Sequence, residues 1–154
     1  MSHYADIEVD FDQKNEKELV AALEEQFGEG TVEVHEKGAP LMGWHGDDRS
    51  KLDHKNRNWA PPCELIIRRK NVGSASNDLG FQRVENGKYK AWVSDYDQSS
   101  NFGKDKLGRV TQEYALRVAE HQLKTEGWTK IWRQKLDDGS VKITAKDQVK
   151  VKNW

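Results

Sequence analysis

The chain has 154 residues, 35% of them hydrophobic and 33% charged, and a formal net charge of −1. Its size suits one domain that buries about two-thirds of its unfolded surface, and six tryptophans with clear periodicity exclude disorder throughout. A lone Cys63 excludes an internal disulfide and fits a reducing compartment. No apolar run approaches the ~20 residues of a membrane span, and "MSHYADIEVDFD" shows no basic or apolar signal region.

In chain order, "ADIEVDF" alternates strictly, Ala5, Ile7, Val9 and Phe11 against Asp6, Glu8 and Asp10, as a half-buried strand does. "NEKELVAALEEQFGEG" then reads as a helix. Asn15 and Glu18 have capping-box spacing, Leu19, Val20, Leu23 and Phe27 form the apolar stripe, and Gly28 stops it. "TVEVHE" is a second strand. Residues 38–62 lack a sustained period and carry several breakers, so they read as a long charged surface loop or insertion ending at Pro61-Pro62. Loops of this length are functional or mobile more often than not.

"CELIIRRK" predicts a strand with Cys63, Leu65 and Ile67 on one side, and "NVGSASND" a turn. "LGFQRVENGKYKAW" predicts a hairpin. Asn86-Gly87 fits the two central positions of a type I′ turn, a register in which Arg83 faces Lys90 and Phe81 faces Trp92. "DYDQSSNFGKDK" reads as a loop. A second helix is expected over about Leu107–Thr125, with Leu107, Val110, Tyr114 and Val118 in line. "EGWTKIWRQKLDDGSVKITAKDQ" closes as another hairpin with Asp138-Gly139 at its tip, setting Lys135 opposite Lys142.

The order β-α-β-β-β-β-α-β-β predicts an α+β protein: one domain over 1–154, a two-layer sandwich with a mainly antiparallel sheet and two helices on one face. Residues 1–61 hold 7 Lys/Arg against 14 Asp/Glu, and residues 62–154 hold 18 against 12. That asymmetry bears on partners more than on fold. In the predicted register Phe81 and Trp92 stand outward among Arg83 and Lys90, while Arg133, Lys135 and Lys142 extend a second basic row. Rings between cations suit single-stranded nucleic acid, in which phosphates meet Lys or Arg and bases stack. The competing explanation is a covered face neutralised by Asp6, Glu8, Asp10 and Glu64, with Trp92 beneath the long loop.

Other chemistries have less support. His3, His35, His45, His54 and Cys63 show no zinc spacing, so no metal or other cofactor is expected. There is no nucleophile elbow and no glycine-rich phosphate cradle, and Cys63 at the head of a core strand reads as packed. An enzyme is not expected.

Four stretches carry a resemblance: "MSHYADIEV", "DLGFQRVENGKYKAWVSD", "LGRVTQEYALRVAEHQLKTEGW" and "RQKLDDGSVKITAK". Together they resemble an uncharacterised family first described as a hypothetical reading frame of chloroplast genomes, with members in cyanobacteria, other bacteria and phages. The charged stretch 45–61 is longer than that family usually carries. The resemblance implies the fold and a cytoplasmic or stromal location, and it brings no catalytic residues with it.

The reading is therefore a small non-enzymatic accessory or adaptor protein of the cytoplasm or plastid stroma. It is expected to bind a protein partner through Phe81, Arg83, Lys90, Trp92, Arg133, Lys135 and Lys142 with Trp44 and Trp59 from the loop, Trp and Arg being enriched at binding hot spots. RNA or single-stranded nucleic-acid binding by the same face is the alternative. Membrane association is not expected, and the sequence is silent on oligomeric state.

Overall fold

A computed structural model describes residues 2–150; Met1 of the N-terminal motif and residues 151–154 lie outside the described residues. The elements are β1 (Tyr4–Asp12), α1 (Glu16–Phe27), β2 (Val32–Ala39), β3 (Cys63–Ile67), α2 (Arg69–Val72), β4 (Leu79–Arg83), β5 (Lys88–Ser94), α3 (Asp95–Ser99), α4 (Lys104–Thr125), β6 (Trp128–Lys135) and β7 (Val141–Gln148). The protein is α+β. Its strands form two sheets, one five-stranded in the order β1-β5-β4-β3-β2 and one two-stranded, β6-β7, with every pairing antiparallel. By internal packing the chain divides into two compact units, Met1–Thr111 and Gln112–Trp154, and α4 runs through the boundary.

In the first unit the strict alternation of β1 becomes one edge of the large sheet. Gly28, with φ +116°, ends α1 as its sequence position suggests, whereas the N-cap position is held by Asn15 through its backbone, its side chain making no capping bond to the first turn. Cross-strand rows define two faces. Ile7, Ala91, Phe81 and Leu65 face one way, joined by Leu79, Tyr89, Val93 and Ile67. Phe11 meets Phe81 here at 6.2 Å between centroids, and Tyr89 and Arg83 both reach Glu16 in the first turn of α1. This is the helix-covered core.

The opposite row runs through Asp6, Trp92, Gly80 and Ile66. The expected surface loop lies on it. Leu41 and Ala60 from the loop are fully buried with Tyr4, Cys63 and Ile66, and Trp92 and Ala39 pack against that cluster. Gly80 makes this approach workable, because a Cβ there would come within 2.6 Å of Cys63 Sγ and 2.8 Å of Leu41. Cys63 thus belongs with Ile66 and not with Leu65 and Ile67; the register shift between Val34 and Ala39 in the β2–β3 ladder accompanies this change of side.

Both hairpins depart from the predicted register in the same way. Gly87 N–H donates to Val84 O at 3.2 Å and Val84 N–H to Lys88 O at 3.0 Å, which encloses three residues instead of two. Gly139 N–H to Leu136 O (3.0 Å) and Leu136 N–H to Ser140 O (2.8 Å) repeat the pattern. A type I′ turn needs positive φ at both central positions, yet only the glycines have it, +78° at Gly87 and +87° at Gly139. Each loop is a turn followed by a left-handed glycine that forms a bulge. Arg83 therefore pairs with Tyr89 and Phe81 with Ala91, while Lys135 pairs with Val141 and Gln134 with Lys142. A slip of one residue moves a whole strand row to the other face.

Two stretches not predicted as helix contain it. Residues 69–72, read as the end of a strand and the start of a turn, form α2, and within the predicted loop α3 follows Ser94, whose Oγ accepts from Asp97 N–H as an N-cap. α4 begins at Lys104, before the expected start at Leu107.

Candidate functional site

The register correction redistributes the predicted binding residues. Phe81 was expected outward, and it is fully buried in the helix-covered core. Arg83 was also expected outward; it lies in the same inward row, and its Nη2 sits 2.7 Å from Glu16 Oε1 and its Nη1 3.1 Å from Glu36 Oε2. Those hydrogen bonds, to Glu36 and then Glu16, push the guanidinium further above its usual range. Lys90 and Trp92 do occupy the opposite face. Lys90 Nζ reaches Asp6 Oδ2 at 3.2 Å, and Lys88 beside it takes Asp10 at 2.6 Å and Asp12 at 2.7 Å. Trp92 is half-buried, its Nε1–H donates to Gln82 Oε1 at 2.9 Å, and Trp59 of the loop meets it edge-on at 5.6 Å. Acidic strand residues and loop thus cover the face that the sequence offered as a platform.

The loop is held by a polar cluster to which the sequence gave no role. Arg49 is 1% exposed. Its Nη1 donates to Ser2 O and Asn58 O, both at 2.8 Å, its Nη2 to Asn77 Oδ1 at 3.4 Å, and its Nε lies 2.7 Å from Asp47 Oδ2. The guanidinium also stands over the Tyr4 ring, 5.3 Å from its centroid. Asp78, fully buried, accepts from Met42 N–H (2.8 Å), Arg68 Nη1 (2.8 Å) and Arg69 N–H (2.7 Å). Burial, and the Asp78 charge after it, pushes the Tyr4 hydroxyl far above its ordinary range. Asp97 accepts from Asn77 N–H (3.1 Å), Ser94 Oγ (2.8 Å) and Asn101 Nδ2 (3.0 Å). Buried polar groups require such partners. Asp78 is spent on holding the loop to the sheet, and Asp97 on fixing Asn77 and the start of α3.

At the head of this construction is a small exposed turn. Met42 bridges Asp48, Gly43 N–H donates to Asp47 O (2.9 Å), Gly46 N–H to Gly43 O (2.8 Å), and Trp44 N–H to Asn77 Oδ1 (3.0 Å). The Trp44 side chain remains 54% exposed, stacked obliquely on His45 at 4.5 Å. Trp59, predicted alongside it, is half-buried between His54 and Trp92.

The second unit carries the remaining predicted residues on β6 and β7. Arg133 shares a face with Ile131, Lys135, Val141, Ile143 and Ala145. It forks onto Glu113 at 2.8 and 2.9 Å and onto Glu120 at 2.6 and 3.2 Å, bonds that hold Glu113 below its ordinary value of 4.5, with Arg117 assisting. Lys135 is exposed beside it. The other face contains Lys142, Thr144 and Lys146 with Lys130, Trp132 and Gln134. Trp132, 45% exposed, was not among the candidates. A three-residue reading of "LDDGS" is the signal that would have put it beside Lys142.

Among the described residues no group of three or more His, Cys, Asp or Glu side chains is placed to hold a metal ion. Cys63 is buried, and burial pushes its thiol far above its usual range, so it stays protonated and a poor nucleophile. No helix among the described residues is long and apolar enough to cross a membrane.

These features describe an α+β protein with an extensive internal polar network, whose two most exposed tryptophan rings among the described residues, Trp44 and Trp132, stand on a short turn and on a hairpin face. The chain belongs to the family described as "Protein of unknown function (DUF1257)", whose model matches residues 31–144 and so runs through the stretch 45–61. No curated protein matches the chain, and no solved structure does.

Proposed function

We propose that this protein is a small non-catalytic adaptor of the cytoplasm or plastid stroma that docks a protein partner on the Trp44 turn. The observation that carries the reading is a half-exposed tryptophan on a turn fixed from below by a buried arginine. An exposed ring normally loses mobility when it binds. Here the backbone on both sides is already tied to Asn77 and Asp47, so less ordering entropy opposes association. Trp is the residue type most enriched at binding hot spots. The non-catalytic part rests on the carboxylates of Asp78 and Asp97, each fully engaged by structural donors, and on the protonated Cys63 thiol.

The test is affinity capture from native extract with wild type and Trp44→Ala, followed by mass spectrometry. The turn backbone does not depend on the indole, so the variant should keep its melting temperature and lose the proteins that wild type retains. An unchanged retained set would overturn the proposal.

A further inference from the structure

We propose that the exposed face of the β6–β7 hairpin binds single-stranded nucleic acid, with Trp132 as the stacking platform and Lys142, Lys146 and Lys130 as phosphate contacts. This site is in the second unit and does not depend on the Trp44 reading. The observed register builds the site. Trp132 lies opposite Thr144, a small residue that leaves the ring uncovered on its cross-strand side, and Lys142 and Lys146 are its two diagonal neighbours. Diagonal neighbours in an antiparallel pair lie about 7–8 Å apart, within reach of long side chains. On its own strand the ring has Lys130 on one side and Gln134 on the other. A ring is thus flanked by ammonium groups towards both ends of the hairpin.

The charges on this face are poorly compensated. Lys130 and Lys146 pair directly across the ladder, an arrangement that costs stability. Lys130 is relieved by Asp147, 2.9 Å away, and Asp147 adopts a left-handed φ of +62°, costly for a residue with a side chain. No carboxylate among the described residues pairs with Lys142 or Lys146. On the opposite face of the same hairpin Arg133 is fully engaged by Glu113 and Glu120. On that face the arginine is neutralised while Lys135 stays exposed beside it, and the other face displays Lys142 and Lys146 around an indole.

An extended single strand supplies what this face lacks. Its phosphates match the lysines, and an unpaired base offers a flat surface to the ring, an interaction that tolerates any base. A duplex keeps its bases stacked internally and could engage only the lysines. A protein partner would need carboxylates spaced around an aromatic acceptor, whereas the repeating phosphate–base unit has that composition already.

The test is fluorescence anisotropy of a labelled oligo(dT) or oligo(U) titrated with the full chain at low salt. Wild type should bind, with log K falling against log salt at a slope of about −1.4 to −2 for two or three phosphates. Trp132→Ala should weaken binding about tenfold or more, and Trp132→Phe should retain most of it, which separates lost stacking from a damaged hairpin. Lys142→Glu with Lys146→Glu should weaken binding and flatten the salt slope by about 1.4. Lys70→Glu, an exposed charge reversal in the first unit, should leave binding unchanged. No binding at low salt would overturn the proposal. So would equal binding by wild type and Trp132→Ala, or equal competition by heparin and by the oligonucleotide at matched charge, since charge alone would then account for the affinity.

Discussion

The two hairpins are built on one plan and end in opposite circumstances. Each has three residues in its loop, a left-handed glycine closing it, and an Asn or Asp side chain that accepts from the backbone two positions on: Lys88 N–H to Asn86 Oδ1 at 3.1 Å, Ser140 N–H to Asp138 Oδ1 at 2.9 Å. The β4–β5 ribbon lies inside a five-stranded sheet with α1 on one side and the long loop on the other. The β6–β7 ribbon is a sheet by itself and leaves one face open. Turn chemistry therefore sets register and does not decide exposure. What covers each face decides that, and the coverage depends on residues far from the turn, such as Leu41 and Arg49.

Substitutions should expose this contrast most strongly in the rows that the register defines. Phe81→Ala removes a fully buried ring and should cost about 3–5 kcal/mol, whereas Trp132→Ala, on the open face, should stay within about 0.5 kcal/mol of wild type. Denaturant melts followed by circular dichroism compare the two, and similar losses would remove the distinction. A smaller effect is expected at Gly80→Ala. The added methyl must displace Leu41 or Cys63 Sγ, at about 1–3 kcal/mol, and quenching of tryptophan fluorescence by iodide should rise as the loop lifts from Trp92.

Gly87→Ala and Gly139→Ala test the shared plan directly. Each puts a side chain at positive φ, so each should cost about 1–2 kcal/mol. A large difference between them would mean that the turns are not equivalent. The last comparison is of pH. Because Arg133 holds Glu113 below its ordinary 4.5, that pair stabilises fully above 4.5 and loses its contribution as pH falls through the lowered value. Melting temperature should therefore drop on acidification below pH 4.5, and Glu113→Gln should make that drop shallower. A variant as acid-sensitive as wild type would reassign the effect to other carboxylates.

Much of the architecture was legible because it obeys simple periods. The alternation of β1, the stripe and stop of α1 and the long α4 all repeat along the chain and need no distant partner to be recognised. The hairpin registers were harder, since "ENG" and "DDG" suit two turn types that differ by one residue. The spacing of Leu79 and Phe81, two apart and both strongly apolar, marked the inward row of β4 and outweighs the turn dipeptide. The long loop has no period because it covers the sheet at single points, with Leu41 over Gly80 and Ala60 nearby. Its polar anchor joins Arg49, Asn77, Asp78 and Asp97 across the chain, and no local pattern announces such a meeting. The α3 start was nearer to hand: Ser94 with Asp95 and Asp97 following is an N-cap and an acidic first turn.

The doublets Asn86-Gly87 and Asp138-Gly139 also govern how the molecule ages. With no side chain on the following residue, the glycine nitrogen can attack the side-chain carbonyl of Asn86, expelling ammonia, or of Asp138, expelling water, and close a cyclic imide that water then reopens largely as an isoaspartyl linkage. That linkage threads an additional carbon through the main chain at the place where loop length sets strand alignment. Chemical wear at Asn86 would thus act on the alignment that keeps Phe81 inside, and the same wear at Asp138 on the one that places Trp132 beside Lys142.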